Sequence, residues 1–310
     1  MADEIAQILI KRFHALETQR QTWEGHWQEI ADYVVPRKAD VTKNRSPGDK
    51  RSELVFDGTA ILAAELLAAS LHGMLTNGST SWFGLRYNDD ELNGDDEAKE
   101  WLQSVEDVMY QAFNRSNFQE QIAELYLDLV TFGTAVMFVD KDDEQQIRFS
   151  TRHIKECFLS EDDKGRVDTV YRQFKMPARA AMNRFGEEKF NSKILQRAQN
   201  NPYDEITLLH AVYSRDDRDI TKVTAENKPF ASVYIEPDQK VVLSESGFDE
   251  FPYMAPRFSK SSFELGYGRS PSMTALADIK MLNRMSEVTI RAAQKQVDPP
   301  LLVPDDGFML

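Results

Sequence analysis

Residues 271–296, PSMTALADIKMLNRMSEVTIRAAQKQ, decide how the chain is read. Nothing in them breaks a helix, so about 26 residues run for about 39 Å. Pro271 suits a first helical turn and Ser270 a cap before it. Asp298-Pro299-Pro300 stops the run. With Lys280 set to zero and about 100° per residue, Arg291, Arg284 and Lys295 fall at about 20°, 40° and 60°. The four cations therefore share one arc spread over about 22 Å of axis. Met281, Met285, Val288 and Ala292 form an apolar seam beside them. Asp278 and Glu287 lie off the arc, at about 160° and 340°, and are expected not to neutralise it. Such a stripe could face phosphates, pair with acidic residues of another helix, or be solvated.

Upstream, Gly266-Tyr267-Gly268-Arg269 leads into this helix. It starts like a dinucleotide fingerprint but lacks the third glycine and a parallel βαβ setting, so it reads as a turn. Further back, residues 134–244 hold short β-rich runs: 134–139, 146–150, 167–174, 205–213, 231–235 and 240–244. Asp162-Asp163-Lys164-Gly165 and Glu236-Pro237-Asp238-Gln239 supply hairpin turns. Small helices are predicted near 177–186 and 191–199. At the N-terminal end, Ile5, Ile8, Leu9, Phe13, Leu16, Trp23, Trp27, Ile30 and Val34 recur at three- and four-residue steps, one face of a helix over 3–35 ended by Pro36. A turn-rich basic loop follows, then a helix over 59–75, a strand over 81–87, and helices over 95–115 and 117–132. The 59–75 helix is apolar nearly all round, so it should be buried in the domain or against a neighbouring subunit. Grouped helices and strands predict an α+β fold rather than a parallel α/β sheet.

The chain has 310 residues, 37 basic and 51 acidic, for a net charge of −14. Length suggests about two domains, and the composition is that of a globular protein. The single cysteine, Cys157, excludes an internal disulfide framework and any multi-cysteine metal site. No apolar stretch is long enough to span a membrane. Asp3 and Glu4 stand where a secretion signal would be basic. The acidic balance argues against nucleic acid at first sight, but the charge is uneven. Residues 37–51 and 255–297 are each net +4, and residues 86–128 are net −9.

No chemistry-bearing constellation emerges. Asp89, Glu91, Asn93, Gly94 and Glu100 take calcium-loop positions, but Glu91 and Asp96 depart from the pattern and no helix precedes it. An acidic loop whose Asp95 and Asp96 suit the next helix's dipole accounts for it. His14, His26, His72, His153 and His210 show no metal-ligand spacing, and Cys157 reads as a small buried residue. There is no phosphate loop and no nucleophile elbow. No catalytic residue, metal or cofactor is predicted.

Several segments together do carry a resemblance. They are WQEIADYVVPR (27–37), FDGT through GM (56–74), SWFGL (81–85), FGTA (132–135), and YGRSP (267–271) through KMLN (280–283), ending in DPP (298–300). In this order the chain resembles the portal, or head-to-tail connector, proteins of short-tailed bacteriophages. The resemblance implies a subunit of a ring of usually twelve copies at one capsid vertex, with double-stranded DNA passing through its channel in packaging and ejection. It implies an α+β wing over 1–255, a connecting segment over 256–270, a first stem helix over 271–297, and the start of a clip over 298–310. Family members continue through the rest of the clip, a second stem helix, a channel loop and a crown. Implied partners are further copies of the chain, the large terminase, a tail adaptor, and the major capsid and scaffolding proteins. Assembly would take place in the host cytoplasm and the product would reside in the virion. Lys280, Arg284, Arg291 and Lys295 become candidates for channel or inter-subunit contacts, and Asp298, Pro299 and Pro300 for contact with motor or adaptor. The competing reading is an acidic intracellular helical module that binds another protein and has no DNA role.

Overall fold

The first helix, α1 (Ala2–Val34), owes its length to an apolar face that changes partner along the way. In its first half Ala6, Leu9, Ile10 and Phe13 are buried against a sheet that presents Phe158, Tyr171, Leu209, Ala211, Val233 and Ile235. In its second half Trp27, Ile30, Ala31 and Val34 enter a separate, larger core. Arg20 sits between the two and is buried. Its guanidinium donates to the carbonyls of Ile154, Lys155 and Cys157 at 2.9–3.0 Å and stacks 3.6 Å from the Phe158 ring centroid. A charge can be buried there because charge-assisted bonds replace its hydration. The computed structural model describes residues 2–299 apart from 47, 216, 217, 220, 223 and 265.

After α1 come α2 (Thr59–Leu75), α3 (Asp96–Arg115) and α4 (Phe118–Phe132). The next elements are β1 (Val136–Asp142), β2 (Gln146–Arg152), β3 (Cys157–Glu161) and β4 (Val167–Pro177). The chain goes on through α5 (Ala178–Phe185), α6 (Ser192–Asn200), β5 (Glu205–Ser214), β6 (Phe230–Glu236), β7 (Val241–Phe248), β8 (Tyr253–Met254) and α7 (Pro271–Val297). Among the described residues the strands form two antiparallel sheets, ordered β2-β1-β8 and β3-β4-β5-β6-β7. The α+β class predicted from the grouping is the fold observed. In β5, Leu209 and Ala211 face α1, while Ile206 and Leu208 face α5 and α6 beside Phe185 and Ile194. That period of two lets one sheet bury both faces.

Three local expectations are corrected. Residues 81–87 form no strand. The Tyr110 hydroxyl accepts from the amides of Trp82 and Phe83 at 2.7 and 2.8 Å, and Trp82 stacks on Phe118, 5.6 Å between centroids. The segment is extended because its side chains dock on α3 and α4, not because a neighbouring strand pairs with it. Conversely, β3 and β8 are strands outside the predicted runs. Both are short and gain strand geometry only from their partners, β4 and β1. The third correction concerns residues 37–51, whose net positive charge is largely spent inside the molecule. Lys43 lies 2.7 Å from Asp32, Arg37 2.8 Å from Glu124, and Lys38 contacts Asp128, all carboxylates from outside the segment.

Candidate functional site

The features that set this chain apart converge where α4 ends and α7 begins. Gly133 ends α4 in the left-handed region, φ +76°, and its amide donates to Leu129 O at 3.1 Å. A β-carbon there would come within 2.6 Å of the Arg269 carbonyl carbon, so only glycine lets the two segments touch. Gly268 N donates to Thr134 Oγ1 at 2.8 Å, Phe258 N to Gly133 O at 2.9 Å, and Ala135 N to Pro256 O at 3.2 Å. Ser270 works twice. Its hydroxyl donates to Thr131 O at 2.8 Å and accepts from Met273 N at 3.0 Å, capping α7. Ser272 Oγ donates to Val130 O at 2.9 Å. From the other side Trp27 Nε1 donates to Phe132 O at 3.2 Å, and the Trp27 ring meets Tyr267 edge-on, 5.1 Å between centroids. Tyr267 is itself fixed by accepting from Leu159 N at 3.1 Å. Three motifs scattered along the sequence, 27–37, 132–135 and 267–271, thus build one buried joint that fixes the direction in which α7 leaves the body.

Beyond the joint, Met273 and Leu276 anchor the first turns of α7 in the core. The helix then emerges. Met281, Leu282, Met285, Val288 and Ile290 are exposed. Asn283 gives a further hold: its Oδ1 accepts from Phe56 N at 2.7 Å and Asp57 N at 3.1 Å, and its Nδ2 donates to Leu54 O at 2.9 Å. In the sequence Asn283 stood only as the end of the KMLN motif, with no role of its own. The available signal was a poor helix former, with a side chain that competes for backbone groups, set in mid-helix.

The basic stripe is real as geometry but is not bare. Lys280 pairs with Glu29 of α1. Arg284 and Arg291 lie 2.6 Å from the two oxygens of Glu287. The expectation that Glu287 could not neutralise the arc is overturned. Its offset on the wheel is small, and three- and four-residue spacings bring long side chains together across it. Lys295 stands exposed in the last turn. Asp298 caps α7, its amide donating to Gln294 O at 3.0 Å, and Pro299 is exposed beyond it. Pro300 and residues 301–310, expected from the resemblance to begin a clip, lie outside the described residues.

A second ionic cluster joins the start of the basic loop to α4. Lys38 contacts Asp128 and lies 2.5 Å from Glu124. Burial pushes the Asp128 carboxyl up to about 6 against the pull of Lys38. His153, whose Nε2 lies 3.2 Å from Lys38 O, is held down to about 4 by burial and the neighbouring ammonium. His210 is buried, with Nε2 2.9 Å from Ser232 Oγ and its ring 4.0 Å above Tyr234, and burial lowers it to about 3. Closed off from solvent, this Ser–His contact is a core hydrogen bond. Cys157 is likewise buried, its thiol pushed up to about 12.

In the 89–100 loop the side chains at the calcium-loop positions are used locally. Asn93 Oδ1 accepts from Tyr87 N at 3.0 Å, and Asp89 Oδ1 from Glu91 N at 2.9 Å. Among the described residues no cluster of His, Cys, Asp or Glu is placed to hold a metal ion. Among them, too, no helix is long and apolar enough to cross a membrane.

The last feature is α2. Only Ala64 and Ala68 are buried, against α4, while Leu62, Leu66 and Met74 are 67, 66 and 82% exposed. Of the two covers expected for this helix, the domain itself supplies little. A groove of about 310 Å³ separates α2 from α7, lined by Ala60, Ala63, Leu67, Ala275, Ile279 and Leu282. An α+β body that roots one long helix and leaves two apolar helix faces bare has the build of an assembly subunit. The chain belongs to the bacteriophage head to tail connecting protein family, whose model matches residues 6–310. It is similar to the portal protein of Salmonella phage epsilon15, 30% identical over 308 residues that make up 98% of this chain and 55% of that protein. It is also similar to the probable portal protein of Bordetella phage BPP-1, 31% identical over 302 residues, 96% of this chain and 54% of that one. The chain spans about half the length of these curated relatives.

Proposed function

We propose that the chain is a structural subunit of a phage portal: a ring of twelve copies at one capsid vertex, through which double-stranded DNA is packaged and ejected. The observation that carries this reading is α7, rooted at the Gly133–Gly268 joint and emerging with its apolar seam uncovered. Such a helix is ready to stand beside copies of itself around an axis. Residues 1–255 act as the wing, 256–270 as the connecting segment, 271–297 as the first stem helix, and 298 onward as the start of the clip. The ring needs no catalytic chemistry of its own.

DNA moves through the ring without being gripped. The body is acidic, and Lys280, Arg284 and Arg291 already have carboxylate partners. Each further neutralised phosphate would tighten binding by counterion release. Within that role the stripe takes part in channel or inter-subunit contacts, and Asp298 with the prolines after it begins the part that meets the large terminase and then the tail adaptor. The major capsid and scaffolding proteins surround the vertex, and the ring is built in the host cytoplasm before entering the virion. Negative-stain images with mass measurement test this. Closed rings of twelve are expected; a monomer or dimer at every concentration would overturn it.

A further inference from the structure

The helix α2 lacks a solvent-compatible face. Among its seventeen residues Glu65 is the one carboxylate, and there is no lysine or arginine. Leu62 and Leu66 project from the side away from α4, and Ala63 and Leu67 carry that apolar surface into the groove shared with α7. Covering a leucine that would otherwise stay wet is favourable, and a bare helix of this composition marks a contact surface. The small side chains of Ala60, Ala63 and Ala275 leave room for another helix to come close.

The charges say what fits. Among the described residues the ionic groups lining the groove are two carboxylates, Asp57 and Asp278. The outward half of α7 is the reverse: the Met281, Met285 and Val288 seam runs beside Arg284, Arg291 and Lys295, with Glu287 as the single carboxylate after Asp278. Methionine is unbranched and adapts to an irregular slot. Two copies docking groove to groove would set Asp57 and Asp278 against their own duplicates, which is repulsive. Seam to groove sets cations against those acids. We infer that the α2–α7 groove of one copy receives the Met281–Met285–Val288 seam of a second copy, head to tail. A contact between two different surfaces of the same chain propagates, and closes into a ring when the rotation allows. It is the inter-subunit contact of the ring proposed above and rests on that reading.

Leu67→Glu and Met285→Glu separate the possibilities, because each alters an exposed position on one of the two surfaces. Circular dichroism should show unchanged helix content for both. In light scattering, each variant alone should need at least tenfold more protein to assemble than the wild type. An equimolar mixture should form particles of two chains and stop there, since one intact groove meets one intact seam. Wild-type rings alongside variants that assemble just as well would refute the surface and leave the ring standing. A wild-type chain monomeric at every concentration would refute both. A mixture that stays monomeric, or a Met285→Glu protein that still dimerises, would refute the head-to-tail pairing.

Discussion

Gly133 shows how much of the architecture can hang on one absent side chain. Its φ of +76° and the backbone of Gly268 and Arg269 beyond its α-carbon make two demands at once. Gly133→Ala should therefore lower stability by at least about 2 kcal/mol, combining backbone strain with a clash against main chain that cannot swing aside. Gly25, exposed in α1 with nothing within 4 Å of an added β-carbon, is the control. Gly25→Ala should raise stability by about 0.5–1 kcal/mol, as expected for a mid-helix glycine. Urea unfolding midpoints measure both, and equal small shifts would mean that the joint tolerates displacement. In the sequence both residues are simply glycines. Phe132-Gly133-Thr134-Ala135 and Tyr267-Gly268-Arg269-Ser270-Pro271 were recognisable as motifs, but their meeting across more than a hundred residues was not. No local periodicity encodes a contact between two loops.

At the level of elements, boundaries and types were the legible part. The predicted 59–75 helix matches α2, and the Ser270 cap and Pro271 start of α7 are as expected from their chemistry. Charge pairing was not legible, because a wheel places α-carbons while arginine side chains reach across several positions. The pairing has a measurable consequence. Glu287 is shared by two arginines of α7 and cancels one of their two charges, so Glu287→Gln should free both for phosphate contact. Binding to a 30-bp duplex, followed by fluorescence anisotropy across salt concentrations, should show a shallow slope for the wild type. The variant's slope should steepen by up to about 1.8, which is two phosphates at about 0.9 each. Identical slopes would mean that the arginines face away from any phosphate path. The same scale explains the 81–87 error: Phe83, Leu85 and Tyr87 alternate as in a strand, yet the backbone partner of Trp82 and Phe83 is the tyrosine hydroxyl of a helix.

For the molecule as a whole, buried titratable groups make stability depend on acidity. His153 and His210 stay neutral in the fold, held down to about 4 and about 3, whereas in the unfolded chain they titrate near 6.5. Below 6.5 the unfolded state takes up protons that the fold refuses, so stability is lost as pH falls. At pH 5 each imidazole costs about 2 kcal/mol relative to pH 7, a tenfold difference in proton affinity being worth about 1.4 kcal/mol. Asp128 acts in the opposite sense. With its carboxyl raised to about 6, the fold binds that proton more tightly than the unfolded chain, which returns about 1 kcal/mol over the same interval. Guanidinium titrations at pH 7 and pH 5 should therefore differ by about 2–3 kcal/mol in favour of pH 7. A flat or rising profile toward acid would contradict the burial assigned to the two histidines.

The sequence by itself determined the α+β class, the long helices and their ends, and, through five motifs taken together, the family. Those properties follow from local periodicity, capping chemistry and turn residues, all read within a few positions. Only the tertiary structure decided that three of those motifs form one joint, that the stripe on α7 has about half its charge neutralised, that the cations of the basic loop are largely spent at home, and that α2 faces outward. Each of these depends on which groups meet after the chain has turned back on itself. Burial and charge pairing are properties of that meeting, and not of any segment taken alone.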